Sequence, residues 1–323
     1  MLIEHQHPLN KSITIGLFGL PNVGKSTFVN EMLGFDLSVV TKLPQTTRNS
    51  IQCVTCVDRT EIIFLDTPGI HNSNQEINKR MVGQATERIA DFDLNFFLFD
   101  LSRNLHEQWE SMKSFIGDYH QMTWVIFNKA DLVDEGIKEE AKQFFTQLHE
   151  SNKSFQQYFI LSAQKGEGTK ELKKSILKVA PSAPHLYPDG EASNKNERFF
   201  AAEYIREQAF KYLKEELPYE ITVLIEEYKD FREGKEKRAI DTHISASILV
   251  NRPSQKGIVV GSKGEMIKKI GMGAREKIEA MLEGRVHLNL HVKVSPKWFN
   301  NNFVLEEIGL KRAQNSGRLW RKK

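Results

Sequence analysis

Gly19-Leu20-Pro21-Asn22-Val23-Gly24-Lys25-Ser26 fits the spacing G-x-x-x-x-G-K-S without a gap, and few octapeptides restrict a fold more tightly. Two glycines let the backbone curl until successive N–H groups face inward on an anion. The curl has to join the end of a buried strand to the first turn of a helix, whose N-terminus faces the same anion. Ile13-Thr14-Ile15-Gly16-Leu17-Phe18 reads as that strand and Lys25 to Leu33 as that helix. The ligand such a loop takes is a nucleotide polyphosphate. Leu20, Pro21, Asn22, Val23 and Thr27 are then lining positions, Lys25 reaches the β- and γ-phosphates, and the Ser26 hydroxyl takes one place on Mg²⁺. A Gly-rich turn arising by chance is the plain alternative.

Downstream of this loop the chain keeps alternating strand with helix. Ile51–Val57, Glu61–Leu65, Leu94–Phe99, Trp124–Phe127 and Tyr158–Leu161 are apolar runs of strand length. Polar helical stretches fall near Glu76–Asp91, Glu107–Gly117, Ile137–His149 and Thr169–Lys178. Continuous apolar runs are the mark of strands buried on both faces, so the expectation for residues 1–180 is a mostly parallel, doubly wound α/β sheet. A Pro- and Gly-rich stretch, Ala180 to Asn196, then reads as a linker, with 181–198 as its expected extent. Beyond it the order is helix (Phe199–Glu215), strand (Glu220–Glu227), strand (Asp241–Val250), a Gly-containing turn, helix, and strand (His287–Val294). That order is α+β, over 199–300, leaving 301–323 as a basic tail.

Three more motifs fall at expected strand ends, where an α/β sheet binds its ligand. Asp66-Thr67-Pro68-Gly69 supplies a carboxylate for Mg²⁺ through water and a Gly69 N–H facing the γ-phosphate. Asn128-Lys129-Ala130-Asp131 chooses the base: a carboxylate at Asp131 accepts from both N1–H and the exocyclic amine of guanine, and adenine presents neither donor there. The Lys129 stem covers a ring face, and the backbone at Ser162-Ala163 contacts the guanine oxygen. A turn with a helix cap is the bland reading of the same four residues. Between Leu33 and Ile51, Thr41 to Arg48 is a polar loop of the length a switch segment needs, with one threonine as a Mg²⁺ ligand.

The second half has its own signal. Gly261-Ser262-Lys263-Gly264 is a G-x-x-G loop, which clamps a nucleic-acid backbone when a helix follows. Ile267, Ile270, Ala274, Ile278 and Met281 form one stripe of that helix, with Lys268, Lys269 and Arg275 on other faces. Net charge is +3 overall, but Ser254 to Lys323 holds fifteen Lys and Arg against six Glu, a local +9 on a body of −6. A polyanion partner fits that end. Trp320, in the basic tail, can stack on a base. Alone, G-x-x-G can be any turn, and a basic tail can simply be solvated.

Together these motifs resemble the translation-factor-related GTPases, and the second half narrows the resemblance to the Era family. Gln45-Thr46-Thr47-Arg48 is similar to that family's first switch and Asp66-Thr67-Pro68-Gly69-Ile70-His71 to its second. Glu216-Leu217-Pro218-Tyr219-Glu220 and Arg252 to Gly264 are similar to its type II KH domain. The resemblance implies GTP and GDP as ligands, Thr47 as the switch Mg²⁺ ligand, and Lys25, Thr47, Asp66 and Gly69 as the catalytic set. It implies K⁺ as a candidate second cation, with Asn22, Thr41, Leu43 and Thr46 at the matching positions. Ile70 stands where related GTPases carry a glutamine. As partners it implies the 3′ end of small-subunit ribosomal RNA and the 30S subunit. The protein would be a monomeric cytoplasmic GTP-hydrolysing switch, with peripheral association at the inner membrane as a secondary expectation. The competing reading is a GTP-dependent switch on a protein or membrane partner, with the KH fold as docking platform. Asn72-Ser73-Asn74-Gln75 departs from the family in lacking basic residues.

Composition narrows the rest. No run of 18 apolar residues exists for a membrane-spanning helix, and Met1 to Asn10 has no signal-peptide pattern. Cys53 and Cys56 sit three apart in an expected strand, on opposite faces and roughly 10 Å apart, so they read as packing residues rather than a metal or redox pair.

Overall fold

The computed structural model describes residues 7–35, 37, 51–66, 92–116, 121–188, 190–232 and 240–310. Thr41, Leu43, Thr46, Thr47, Gly69, Ile70 and Trp320, and the helix expected at Glu76–Asp91, lie outside the described residues. The chain forms two compact units that meet in sequence between Asn194 and Lys195.

The first unit is a six-stranded sheet in the order β2-β3-β1-β4-β5-β6. Its strands are β1 (Lys11–Phe18), β2 (Ile51–Val57), β3 (Thr60–Asp66), β4 (Leu94–Asp100), β5 (Thr123–Asn128) and β6 (Phe155–Ile160). Only the β2–β3 pairing is antiparallel. Asp58 and Arg59, both left-handed at φ 47° and 61°, make the tight turn that closes it. The apolar runs are central for the expected reason: β3, β4 and β5 are buried along their whole length. Helices α1 (Lys25–Leu33), α2 (Leu105–Ile116), α3 (Glu135–Ser151) and α4 (Thr169–Val179) cover the sheet. An aromatic cluster fills one layer, with Phe18 stacked on Phe97 and Phe144 edge-on to Phe99. Strand β6 begins three residues earlier than its apolar pattern, because Phe155 is buried while Gln156 and Gln157 face solvent at the sheet edge. Cys53 is buried opposite Phe64, and Cys56 is exposed opposite Glu61.

The stretch read as a linker is bonded along the first unit. Pro181 O accepts from Ser12 N, and Ala192 O accepts from Val54 N. The buried Glu61 carboxylate accepts from Leu186 N, Tyr187 N and Ser12 Oγ at 2.6–3.1 Å. Pro and Gly content marks irregular backbone but says nothing about where that backbone finds hydrogen-bond partners.

The second unit carries α5 (Glu197–Tyr212), β7 (Thr222–Asp230), β8 (Thr242–Val250), α6 (Pro253–Val260), α7 (Glu265–Leu282), β9 (Val286–Val294) and α8 (Asn302–Glu307). β8 pairs antiparallel with β7 and parallel with β9. Two elements differ from the sequence expectation. Ile258-Val259-Val260, read only as an apolar segment before the loop, ends helix α6. Pro253 opens that helix, and the Gln255 side chain accepts from Asn251 N and Arg252 N at its start. In addition, the packed unit continues past 300 into residues assigned to the tail. Asn301 caps α8 by accepting from Phe303 N and Val304 N, and Val304, Leu305 and Leu310 are buried. A six-residue helix is too short for its period to stand out. Among the described residues no helix is long and apolar enough to cross a membrane.

Candidate nucleotide and nucleic-acid sites

The phosphate loop joins β1 to α1 as expected. Gly19 is required by a close approach: a Cβ there would stand 2.8 Å from Leu98 O. Gly24 is left-handed at φ 96°, and its Cβ would stand 2.3 Å from Asn128 Nδ2. It also leaves α1 without a side-chain cap, so the helix presents its first-turn amides to an anion. Lys25 Nζ donates to Gly19 O and Leu20 O at 3.0 and 3.1 Å. Burial pushes this ammonium down to about 8, against the opposing pull of Asp66.

Ser26 Oγ donates to Asp66 Oδ2 at 3.0 Å, with Asp66 fully buried at the end of β3. Two hard oxygen donors this close, beside the phosphate loop, fit a Mg²⁺ ion. Among the described residues no group of three or more His, Cys, Asp and Glu is placed to hold another metal. Asn22 adopts φ 65°. An asparagine tolerates that conformation, which gives it a backbone role in the loop.

At the base end, parallel pairing sets Asp100 opposite Asn128. Asn128 is 2% exposed and acts as a bracket. Its Nδ2 donates to Val23 O at 2.8 Å, and its Oδ1 accepts from Ala163 N at 3.0 Å. The Ala163 N–H, expected at a guanine oxygen, is thus engaged with Asn128. Asp131 is exposed, with Oδ1 accepting from Ser162 Oγ at 2.6 Å. Lys129, left-handed at φ 66°, donates from Nζ to Asp100 Oδ2 at 2.6 Å. Burial works against the Asp100 anion, but Lys129 and the Ser102 N–H and hydroxyl hold it below the usual carboxylate range. Sequence reasoning missed Asp100. Its signal was a lone acid closing the apolar run Leu94–Phe99, at the end of the strand where ligands bind.

In the second unit, Gly261 (φ 74°, ψ 175°) lies where only glycine is comfortable, and its Cβ would stand 2.6 Å from Met266 Cβ. Ser262 and Lys263 are exposed on a single turn, with Gly264 left-handed and α7 again lacking a side-chain cap. Lys268 and Lys269 are exposed as the stripe required, while Ile270, Ala274, Ile278 and Leu282 face the core. Beside the loop is a cleft of about 260 Å³ lined by Ile267, Lys268, Gly271, Met272, Arg275, Leu288 and Leu290. Gly271 makes room for it, since a Cβ there would stand 3.3 Å from Leu290 Cδ1. Ile267 thus lines this cleft rather than the core. In β9, Leu288 and Leu290 share a face with the buried Val286 and Val292 yet remain half-exposed, which leaves them to line the cleft.

Known proteins carry this combination. Residues 14–129 match the family model described as a 50S ribosome-binding GTPase, and residues 216–299 match the KH domain model. GTPase Era of Thermotoga maritima is 38% identical over 302 residues, 93% of this chain and 98% of that protein. GTPase Era of Geotalea daltonii is 36% identical, covering 91% and 96%. A crystal structure of Era in complex with MgGDPNP and nucleotides 1506–1542 of 16S ribosomal RNA superposes with a TM-score of 0.86 at 31% identity, covering 94% of this chain and all of that one. A variant of Aquifex aeolicus Era bound to GDP·AlF4⁻ gives 0.83, also at 31% identity. With relatives of this identity matched end to end across both units, the chain belongs to the Era family of GTPases.

Proposed function

We propose that this protein hydrolyses GTP and, through its KH unit, binds the 3′ end of small-subunit ribosomal RNA in the cytoplasm, assisting assembly of the 30S subunit. The base end of the nucleotide site carries the first half of the proposal. Asp131 is held by Ser162 and bracketed through Asn128 to the phosphate loop, so base and phosphates are read by one connected structure. Lys25 neutralises phosphate charge, and Gly19, Leu20, Pro21, Val23, Gly24 and Thr27 shape the cradle. Ser26 and Asp66, with Thr47, would hold Mg²⁺, which supplies charge neutralisation at the β- and γ-phosphates. Gly69 would face the γ-phosphate. Lys129 covers the ring, its stem kept in place by Asp100.

For the RNA half, Gly261–Gly264 admits a backbone phosphate closely, Lys263, Lys268 and Lys269 supply charge, and Trp320 adds a stacking surface. The cleft beside Met272, Leu288 and Leu290 is apolar enough to take unstacked bases. The complex of Era with 16S ribosomal RNA nucleotides supports this choice of partner. Phosphate release under multiple turnover with GTP and with ATP, and filter binding of a small-subunit RNA 3′ fragment, test the two halves. GTP alone should be turned over and the RNA retained; turnover of ATP or failure to retain the RNA overturns the corresponding half. K⁺ stimulation, resting on Asn22 with Thr41, Leu43 and Thr46, is checked by comparing turnover in KCl and NaCl, with faster turnover expected in KCl.

A further inference from the structure

Asp131, the residue read as choosing guanine, is hydrogen-bonded to a neighbouring loop. Ser162, which donates to Asp131 Oδ1 at 2.6 Å, opens a loop running to Gly168. Within it Ser162 N donates to Glu167 O at 3.0 Å, and Lys165 N donates to Ser162 Oγ at 3.2 Å. Two left-handed glycines, Gly166 (φ 71°) and Gly168 (φ 79°), turn the chain back. Glycines give little stiffness of their own, so a loop with two of them needs an outside anchor.

That anchor comes from α1. The Thr169 hydroxyl lies 2.9 Å from Gly166 O and 3.0 Å from Glu31 Oε1, two acceptors for its one proton. Thr169 is 2% exposed, which keeps water from replacing either partner. A Cβ on Gly166 would stand 3.0 Å from Glu31 Oε1, so the carboxylate also sets how near the loop sits. Lys173 Nζ adds a 3.4 Å bond to the Glu31 carbonyl. Glu31 follows Lys25 and Ser26 on the same helix. One rigid element thus carries the phosphate-side groups in its first turn and, under two turns later, the carboxylate that seats the base-side loop.

We infer that Glu31 is a positioning residue for guanine selection, acting through Thr169 on the loop that holds Ser162 and Asp131. The inference rests on the guanine-nucleotide reading of this site. Its test is the affinity of the full chain for GDP and for IDP, which lacks the exocyclic amine that Asp131 receives. Wild type, Glu31→Ala, Glu31→Gln and Thr169→Val are compared, with circular dichroism melts alongside. Glu31→Ala should weaken GDP by about two- to tenfold, the range of one net hydrogen bond, and IDP by less, so the GDP/IDP ratio narrows. Glu31→Gln keeps an acceptor for Thr169 and should restore the ratio. Thr169→Val should reproduce Glu31→Ala, and the double variant should be no worse than either. The turnover number at saturating GTP should stay unchanged. Equal losses for GDP and IDP, or a wild-type ratio in Glu31→Ala, overturn the inference while leaving guanine binding intact. A wild type that binds ADP as well as GDP removes the guanine reading and this inference with it.

Discussion

Burial gives Lys25 its pH dependence. The ammonium is enclosed by the phosphate loop and titrates near 8, below its ordinary 10.5, because burial disfavours the charged form more than Asp66 favours it. Its folded value is lowered, so burying the charge costs stability below pH 8, and that cost is relieved as pH rises from about 8 towards the unfolded value. Nucleotide phosphates demand the charged form. Above pH 8, binding must therefore take up a proton, and GDP affinity should fall by up to about tenfold per pH unit. A fluorescent GDP titration between pH 7 and 9.5 checks this; a flat profile would place the Lys25 titration elsewhere. At the same scale Asp100 and Lys129 form a pair the motif does not mention, with a 1% exposed carboxylate fixing a side chain assigned to cover the base.

At the level of elements, the irregular segments are as tightly specified as the helices. Glu61 sits inside β3, its carboxylate accepting from two backbone N–H groups of the 181–194 segment and from the Ser12 hydroxyl of β1. Glu61→Ala removes the acceptor of the buried Ser12 hydroxyl and of two part-buried N–H groups and should destabilise the first unit by about 2 kcal/mol. Guanidinium unfolding followed by tryptophan fluorescence measures this; a change below measurement error would mean that water satisfies the donors. In the second unit Gly261 occupies backbone space closed to other residues. Gly261→Ala should distort the Gly261–Gly264 loop and lower RNA affinity by about tenfold, at a strain of about 1–3 kcal/mol. GTP turnover by the same variant should be unaffected, and a parallel loss of turnover would show that the loop serves the fold as a whole. Helix α6 shows how this level escapes sequence patterns, since its β-branched end reads equally as strand.

Taken whole, the chain separates a nucleotide unit from a basic unit, and the +9 charge of its last seventy residues is where a polyanion would act. If roughly four phosphates are contacted by side chains such as Lys263, Lys268 and Lys269, log affinity for single-stranded RNA should fall with log salt at a slope of about −3. Filter binding from 50 to 300 mM KCl reads the slope, and a flat response would exclude the basic face as the binding surface. How much of this was legible varied by type of information. The phosphate loop, Asp66, Asn128-Lys129-Ala130-Asp131 and the Gly261–Gly264 loop were readable because their chemistry depends on residues adjacent in sequence, at spacings fixed by backbone geometry. The sheet was readable because strands buried on both faces must be continuously apolar. Sequence by itself therefore determined the two folds and pointed to the ligand class proposed for each site. Only the tertiary structure decided that Asp100 steadies Lys129, that Glu31 seats the Thr169 loop, that Glu61 holds the 181–194 segment, and that Leu288 and Leu290 line a cleft. Each of those rests on contacts between separate elements, and a contact made by folding back leaves no period or spacing in a single sequence.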